Sequence, residues 1–116
     1  LEGGIDLSIS RSSTIGQYKN QHGTRTVFHP KDYECSGKDI EWSDITEWKT
    51  FALQALNGEG PLTKALEWNA GIYFFYAGIS SSIKEGVNKA KEVINSGFTL
   101  KHLKKLIDWR QENIDS

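Results

Sequence analysis

Residues 60–78 read "GPLTKALEWNAGIYFFYAG" and form the most apolar stretch of the chain. Pro61 suits the first turn of a helix, and the apolar residues after it continue almost to the end of the stretch. Asn69 lies in the middle, where a buried amide must find hydrogen-bond partners or cost about 1 to 3 kcal/mol. We therefore predict a well-packed helix in which Asn69 bonds neighbouring backbone, while Ala70 and Gly71 let a neighbour approach closely.

Capping signals predict further helices on both sides of this one. Asp44 and Glu47 form one capping box, Ser82 and Glu85 form a second, and glycines at the far ends of both patterns are typical stops. A last helix is predicted from about Thr99, fraying over residues 111–116. The predicted inward faces are Trp48, Phe51, Ala52, Ala55 and Leu56, then Ile83, Val87, Ala90 and Ile94, then Leu100, Leu103, Leu106 and Ile107.

The first thirty residues carry strand signals instead. Ile5, Leu7 and Ile9 alternate with polar residues, which is the period of a half-buried strand. Further on, "STIGQYK" and "TRTVFHP" flank the turn-rich "NQHG", a pattern that predicts a β-hairpin. The mixed sequence of residues 30–42 predicts an irregular connection. Strands within 1–30 followed by three or four helices within 44–113 give an α+β class for a single segment, 1–116.

Composition limits the kinds of partner. Hydrophobic residues at 37% and charged residues at 25% are ordinary for a soluble globular protein, and the net charge of −1 gives no general attraction to nucleic acid or anionic lipid. The longest apolar run is about half of the roughly 20 residues that a spanning helix needs, so no membrane segment is expected. The one cysteine, Cys35, permits no internal disulfide, which favours a reducing cytoplasm and an inert thiol. His22, His29 and His102 lack the spacing of a helical zinc site.

Two long stretches resemble a known family. "ALNGEGPLTKALEWNAGIYFFYAG" followed by "SIKEGVNKAKEVINSG" is similar to the C-terminal part of anthranilate phosphoribosyltransferase and its paralogues. "EGGIDLS" near the start resembles the family's Gly-x-Asp-Glu segment, and "HPKDY" resembles its Pro-x-Asp-aromatic. The matching positions within the long stretches are Leu56, Gly58, Gly60, Pro61, Asn69, Ala70, Glu85, Gly86, Val87, Ser96 and Gly97.

The resemblance implies part of an α/β phosphoribosyltransferase domain. The intact family enzyme transfers a phosphoribosyl group from phosphoribosyl pyrophosphate to an aromatic amine in tryptophan biosynthesis, with magnesium as cofactor. Its glycine-rich phosphate loop and helical N-terminal domain lie upstream of every matched residue. We therefore expect this chain to be inactive alone, to require the N-terminal part of the same protein as partner, and to belong to a homodimer. The start without methionine agrees with a longer protein.

One acidic position carries the candidate metal site. In the family an acidic pair helps to hold magnesium against pyrophosphate, and here the pair is replaced by Asp6 followed by Leu7. A single carboxylate can still hold a largely hydrated Mg²⁺ that substrate phosphates also bind, although the site should be weaker. Asp6 is therefore the candidate ligand and Glu2 a second candidate.

An alternative hypothesis is a protein that has kept the family's fold but lost its catalytic activity. The loss of the second carboxylate at Leu7 would suit a module for assembly or for non-specific nucleic-acid binding, a property associated with one paralogue group. Residues 81–110 carry a local charge of +4, which is typical of a solvated helix face and alternatively suits phosphate contacts. The candidate contacts are Lys101, Lys104, Lys105 and Arg110.

Overall fold

The computed structural model describes residues 6–114, and within them a two-stranded hairpin precedes four α-helices. This order confirms the α+β class. The elements are β1 Ser13–Lys19, β2 His22–Phe28, a 3-10 turn Pro30–Tyr33, α1 Ile45–Leu56, α2 Thr63–Tyr76, α3 Ile83–Asn95 and α4 Phe98–Asn113. No helix in this part of the chain is long and apolar enough to cross a membrane.

The hairpin forms where the sequence predicts it. β1 and β2 pair antiparallel, with Ser13 opposite Phe28 and Lys19 opposite His22. Asn20 and Gln21 make the turn with φ values of 50° and 64°. Positive φ at both central residues gives the turn a twist that matches the strands, which explains why the loop needs only two residues.

The strand predicted at Ile5 to Ser10 is wrong for the residues that the structure describes. Residues 6–12 are irregular, although Ile9 is buried and Leu7 half-buried, as their alternation suggested. No neighbouring strand is available to this segment within residues 6–114, since the hairpin pairs only with itself. Side chains bond its backbone instead, as described below. Apolar alternation therefore predicted the inward face correctly and the backbone pairing incorrectly.

Both predicted N-cap residues, Asp44 and Ser82, begin a helix. Asp44 accepts a hydrogen bond from the Glu47 backbone N–H at 2.8 Å at the start of α1, and Ser82 accepts one from Glu85 N–H at 3.1 Å at the start of α3. Each bond satisfies an amide that the first helical turn leaves without a partner. The caps therefore fix the starts of α1 and α3.

The core lies mainly between α2 and α3. Trp68 and Ile72 of α2 pack with Ile83 and Val87 of α3, and Phe28, Cys35 and Ile9 extend the cluster. The two helices approach closely because a glycine lies on each side of the contact. A Cβ built on Gly86 would lie 2.3 Å from the carbonyl oxygen of Gly71. The close approach predicted for Gly71 is confirmed.

The inward face predicted for α4 is correct only near its start. Leu100 and Leu103 are half-buried, whereas Leu106 and Ile107 are 55% and 46% exposed. Every residue of α4 from Lys104 onward is exposed, because no other described element covers the later turns. The helix also continues to Asn113 instead of fraying from residue 111.

Candidate functional site

An open groove of about 510 Å³ lies where the first described residues meet the start of α2. Asp6, Arg11, Lys38 and Asp39 contribute two negative and two positive charges to it, and Leu62 and Leu66 of α2 contribute apolar wall. These four formal charges cancel, and Arg11 forms an ion pair with Asp39. We call it the charged groove.

Asn69 fixes the backbone beside this groove. Its Oδ1 accepts a hydrogen bond from the Leu7 N–H at 2.7 Å, and its Nδ2 donates to the Leu7 carbonyl at 3.0 Å. The same Nδ2 also donates to the Ala65 carbonyl at 2.9 Å, one turn earlier in α2. The prediction that Asn69 bonds backbone is confirmed. The amide pairs with Leu7 as a strand neighbour would, and it places Asp6 at the groove.

Asp39 holds the other side of the same segment. The hydroxyls of Ser8 and Ser10 each donate to its Oδ2 at 2.6 Å, and the Ile9 N–H donates to Oδ1 at 3.2 Å. The hydrogen bonds from Ser10 and Ser8 hold the pKa of Asp39 below its usual value, since they favour the charged carboxylate. The guanidinium of Arg11 lies 3.7 Å from Oδ2. The sequence pattern did not indicate this role, because some thirty residues separate Asp39 from the serines.

Asp6 remains the candidate magnesium ligand. It is exposed and lines the charged groove, while its neighbour Leu7 packs against the core instead of facing a ligand. Asp39 already accepts hydrogen bonds from the hydroxyls of Ser8 and Ser10. Residues 6–114 contain no group of three or more His, Cys, Asp or Glu side chains that could hold a metal ion. Asp6 alone could therefore hold Mg²⁺ only as a largely hydrated ion. Glu2, the second candidate, lies outside the described residues.

Two further titratable groups are buried away from the groove. Cys35 is fully buried, its thiol donates to the Tyr33 carbonyl at 3.3 Å, and burial raises its pKa. A buried, protonated thiol is unreactive, as predicted. Glu67 is only 9% exposed, and burial raises the pKa of its carboxyl despite the nearby charges of Lys91 and Lys64.

The four basic residues proposed for nucleic acid are all exposed on α4, but they do not share one face. With about 100° between successive helical residues, Lys101, Lys104 and Lys105 lie together and Arg110 lies on the opposite side. Asp108 follows Lys104 by four residues and therefore lies on the lysine face, which lowers its positive charge.

Comparison with known proteins agrees with the family resemblance. No family model matches the chain. Relatives named anthranilate phosphoribosyltransferase include those of Paraburkholderia phymatum (27% identical) and Cupriavidus necator (26% identical), each matched over 96% of this chain and 34% of the relative. The relative of the same name in Methanobrevibacter smithii is 30% identical over 91% of this chain and 33% of its own length. The chain thus spans about a third of the length of these relatives and resembles a C-terminal part of that enzyme.

Proposed function

We propose that this chain is the C-terminal part of an anthranilate phosphoribosyltransferase-like protein. In intact form, that protein would transfer a phosphoribosyl group from phosphoribosyl pyrophosphate to an aromatic amine. The observation that carries the proposal is similarity over 96% of the chain to enzymes with that printed name. The proposal includes tryptophan biosynthesis, a cytoplasmic location and a homodimer as its setting.

The charged groove supports a role in binding the pyrophosphate. Arg11 and Lys38 would attract phosphate oxygens, and Asp6 would hold Mg²⁺ through bound water. When bound, the metal offsets negative charge on the leaving pyrophosphate. Asn69 and Asp39 position the segment that presents Asp6, because together they bond residues 7 to 10.

A phosphoribosyl-transfer assay tests this function in the full-length product of the reading frame that contains this chain. Changing Asp6→Asn should lower kcat/KM about tenfold or more, a loss of about 1.4 kcal/mol in transition-state stabilisation, and raise the magnesium needed. Asp108→Asn is the matched control, since Asp108 is exposed on α4 and does not line the groove, and it should leave kcat/KM unchanged. The purified 116-residue chain should give no product.

Two results would contradict the proposal. Turnover by the 116-residue chain alone would show that its site is complete without upstream residues. If the folded full-length protein gives no product with anthranilate or with any other aromatic amine tried, the proposed transferase activity is wrong.

A second candidate function is non-specific binding of duplex DNA. The observation in its favour is that Lys101, Lys104 and Lys105 are exposed on one face of α4. Three phosphate contacts imply that log affinity falls with log salt at a slope of about −2.7. Lys104→Glu should flatten that slope by about one unit or more. Arg110→Glu, on the opposite side of α4, is the matched control and should change it little.

Titration of two unrelated labelled duplexes at low and moderate salt measures that slope. Binding that is equal for both sequences and weakens with salt supports the second candidate. No binding near about 50 mM salt, or a slope indistinguishable from zero, leaves the lysines as a solvated face.

A further inference from the structure

The hairpin and its two flanks form a strongly basic segment. Residues 7–31 contain Arg11, Lys19, Arg25 and Lys31 but neither Asp nor Glu, so the segment has a formal charge of +4 in a chain whose net charge is −1. Cations gathered on one part of a surface attract anions there even when the protein as a whole is acidic. The hairpin region therefore differs in charge from the rest of the chain.

The pairing of β1 with β2 brings the two ends of this basic segment together. Ser13 lies opposite Phe28 at the open end of the hairpin, so the residues just before Ser13 and just after Phe28 are neighbours. A cavity of about 230 Å³ lies there, lined by residues 9–12, residues 29–31 and Ser36. We call it the hairpin-base cavity.

The lining of the hairpin-base cavity favours an anion. Arg11, His29 and Lys31 all line it, and none of the described residues around it is acidic. Ser12 and Ser36 also line it, and their hydroxyl groups can donate hydrogen bonds to anionic oxygens. Cationic groups beside hydroxyl donors are the partners that phosphate oxygens take in proteins.

The charged groove beside this cavity has a different balance of charge. The two concavities share residues 9–11, but Asp6 and Asp39 line the groove as well. Arg11 lies 3.7 Å from Asp39, so that carboxylate offsets part of its charge. Lys31 lines the hairpin-base cavity and not the charged groove. Lys31 is therefore the residue that distinguishes the two sites.

Backbone hydrogen bonds hold the walls of the cavity in place. The Gly37 N–H donates to the Ile9 carbonyl at 3.1 Å, and the Cys35 N–H donates to the Pro30 carbonyl at 3.0 Å. Ser36 lies between these two donors in sequence and is thereby held against both flanks of the hairpin. Ile9 and Pro30 are themselves buried. Walls that are fixed before binding reduce the entropy lost when a ligand binds.

We propose that the hairpin-base cavity binds inorganic phosphate or the phosphate group of a small phosphate monoester. Lys31 and Arg11 attract the charge, and Ser12 and Ser36 donate hydrogen bonds to the phosphate oxygens. The volume of about 230 Å³ lies below the roughly 300 to 1,000 Å³ of pockets for drug-sized ligands, which suits one phosphate group and adjoining water. The inference does not depend on the transferase activity, because the candidate magnesium ligand Asp6 lines the charged groove and not this cavity.

A titration of the ¹⁵N-labelled 116-residue chain with inorganic phosphate, followed by two-dimensional NMR, gives both the affinity and the place of binding. Salt at about 0.15 M screens diffuse attraction between separated charges. The amide signals of residues 9–12 and 29–36 should shift and saturate with a dissociation constant of about 1 mM, an affinity open to so small a ligand. Ribose 5-phosphate should shift the same signals, and ribose should shift none.

Two variants test the lining directly. Lys31→Gln removes a cation from the cavity and should raise the dissociation constant at least about threefold, as expected for the loss of an exposed charge contact. Ser12→Asp adds a carboxylate and should abolish binding, since like charges repel. Lys19→Gln is the matched control, because it removes the same charge from the far end of β1, outside the cavity, and should leave the affinity unchanged.

The opposite results are equally clear. No saturable shift at these amides up to about twenty times the expected dissociation constant overturns the inference, as does an equal loss of affinity in Lys19→Gln and Lys31→Gln. If Lys38→Gln weakens binding and Lys31→Gln does not, phosphate occupies the charged groove instead. Shifts with a duplex oligonucleotide but with neither phosphate nor ribose 5-phosphate would assign the cavity to a nucleic-acid backbone and also overturn the inference.

Discussion

Asn69 shows how one amide can replace a strand partner. Leu7 would normally need a neighbouring backbone for its N–H and carbonyl groups, and the side chain of Asn69 provides both a donor and an acceptor. A leucine at position 69 would leave those groups without partners. The asparagine is therefore a structural residue inside an apolar helix. Its position among apolar residues in the sequence was enough to predict a structural role.

Removing this amide gives the first prediction at the residue scale. Asn69→Ala deletes three hydrogen bonds, and at about 1 kcal/mol each the free energy of unfolding should fall by about 2 to 4 kcal/mol. Urea unfolding measures the change. Asn88→Ala on the exposed side of α3 should stay within about 0.5 kcal/mol of the parent. Hydrogen exchange at the Leu7 amide should accelerate, and an unchanged rate would contradict the pairing with Asn69.

The buried Glu67 gives a prediction about pH. Burial raises its pKa in the folded state, so the folded protein retains a proton that the unfolded chain releases near pH 4.3. The stability this provides is fully present below about pH 4.3 and is lost as the pH rises through the folded pKa. Glu67→Gln, which cannot ionise, should therefore raise the melting temperature at pH 7 and have little effect near pH 4.

Thermal unfolding at both pH values measures this difference. Glu92→Gln, an exposed position on α3, is the control and should change neither melting temperature. A Glu67→Gln variant that is less stable at pH 7 than its parent would show that attraction to Lys91 and Lys64 outweighs the cost of burial.

Asp39 marks the limit of prediction at this scale. Its carboxylate organises residues 8 to 10 across about thirty residues of sequence, and its own surroundings in "SGKDIEW" contain no motif. Local patterns report local hydrogen bonds, so the caps and the bond of Asn69 to the Ala65 carbonyl could be predicted, whereas the bonds of Asn69 to Leu7 could not. A carboxylate that bonds a distant segment could not, since only the folded chain brings the two together.

At the scale of elements, the pairing of α2 with α3 depends on two glycines. Gly86→Ala would place a methyl group 2.3 Å from the Gly71 carbonyl oxygen, which is backbone and cannot rotate away. The helices would have to separate, at a cost of about 1 to 3 kcal/mol for an overpacked contact. Urea or thermal unfolding of Gly86→Ala should show this loss.

Gly16→Ala is the matched control for the helix pair. A Cβ at Gly16 meets nothing within 4 Å, so this variant should remain within about 0.5 kcal/mol of the parent. If both alanine variants are equally stable, the closeness of α2 and α3 does not depend on the absent side chain at Gly86.

The elements also show which sequence signals were sufficient. The capping boxes at Asp44 and Ser82 predicted two helix starts because each uses bonds within one turn. The inward face predicted for α4 was wrong at Leu106 and Ile107, which are exposed. Their spacing predicts an apolar stripe on the helix, but it does not show whether another element covers that stripe. The first strand was wrong for the same reason: alternation around Leu7 needs a partner strand to become a sheet.

At the scale of the whole molecule, the core is small for the length of chain. Ten apolar residues are buried within residues 6–114, and Trp68, Cys35 and Val87 are the largest fully buried side chains among them. Domains of ordinary stability have a free energy of unfolding of about 5 to 15 kcal/mol, because the stabilisation from apolar burial only narrowly exceeds the cost in conformational entropy. A core of this size, with Trp42 65% exposed and Trp48 49% exposed, places the isolated chain at or below the lower end of that range.

We therefore expect the isolated 116-residue chain to unfold with a free energy below about 5 kcal/mol. Urea denaturation followed by tryptophan fluorescence measures it, because Trp68 reports the core while Trp42 starts exposed. The full-length product of the reading frame, measured identically, should be more stable, since contacts with the upstream part of the protein would bury further apolar surface, worth about 25 cal/mol per Å². An isolated chain that is monomeric and unfolds above about 8 kcal/mol would contradict this expectation. It would instead identify an autonomous module, the reading in which the fold persists without the transferase chemistry.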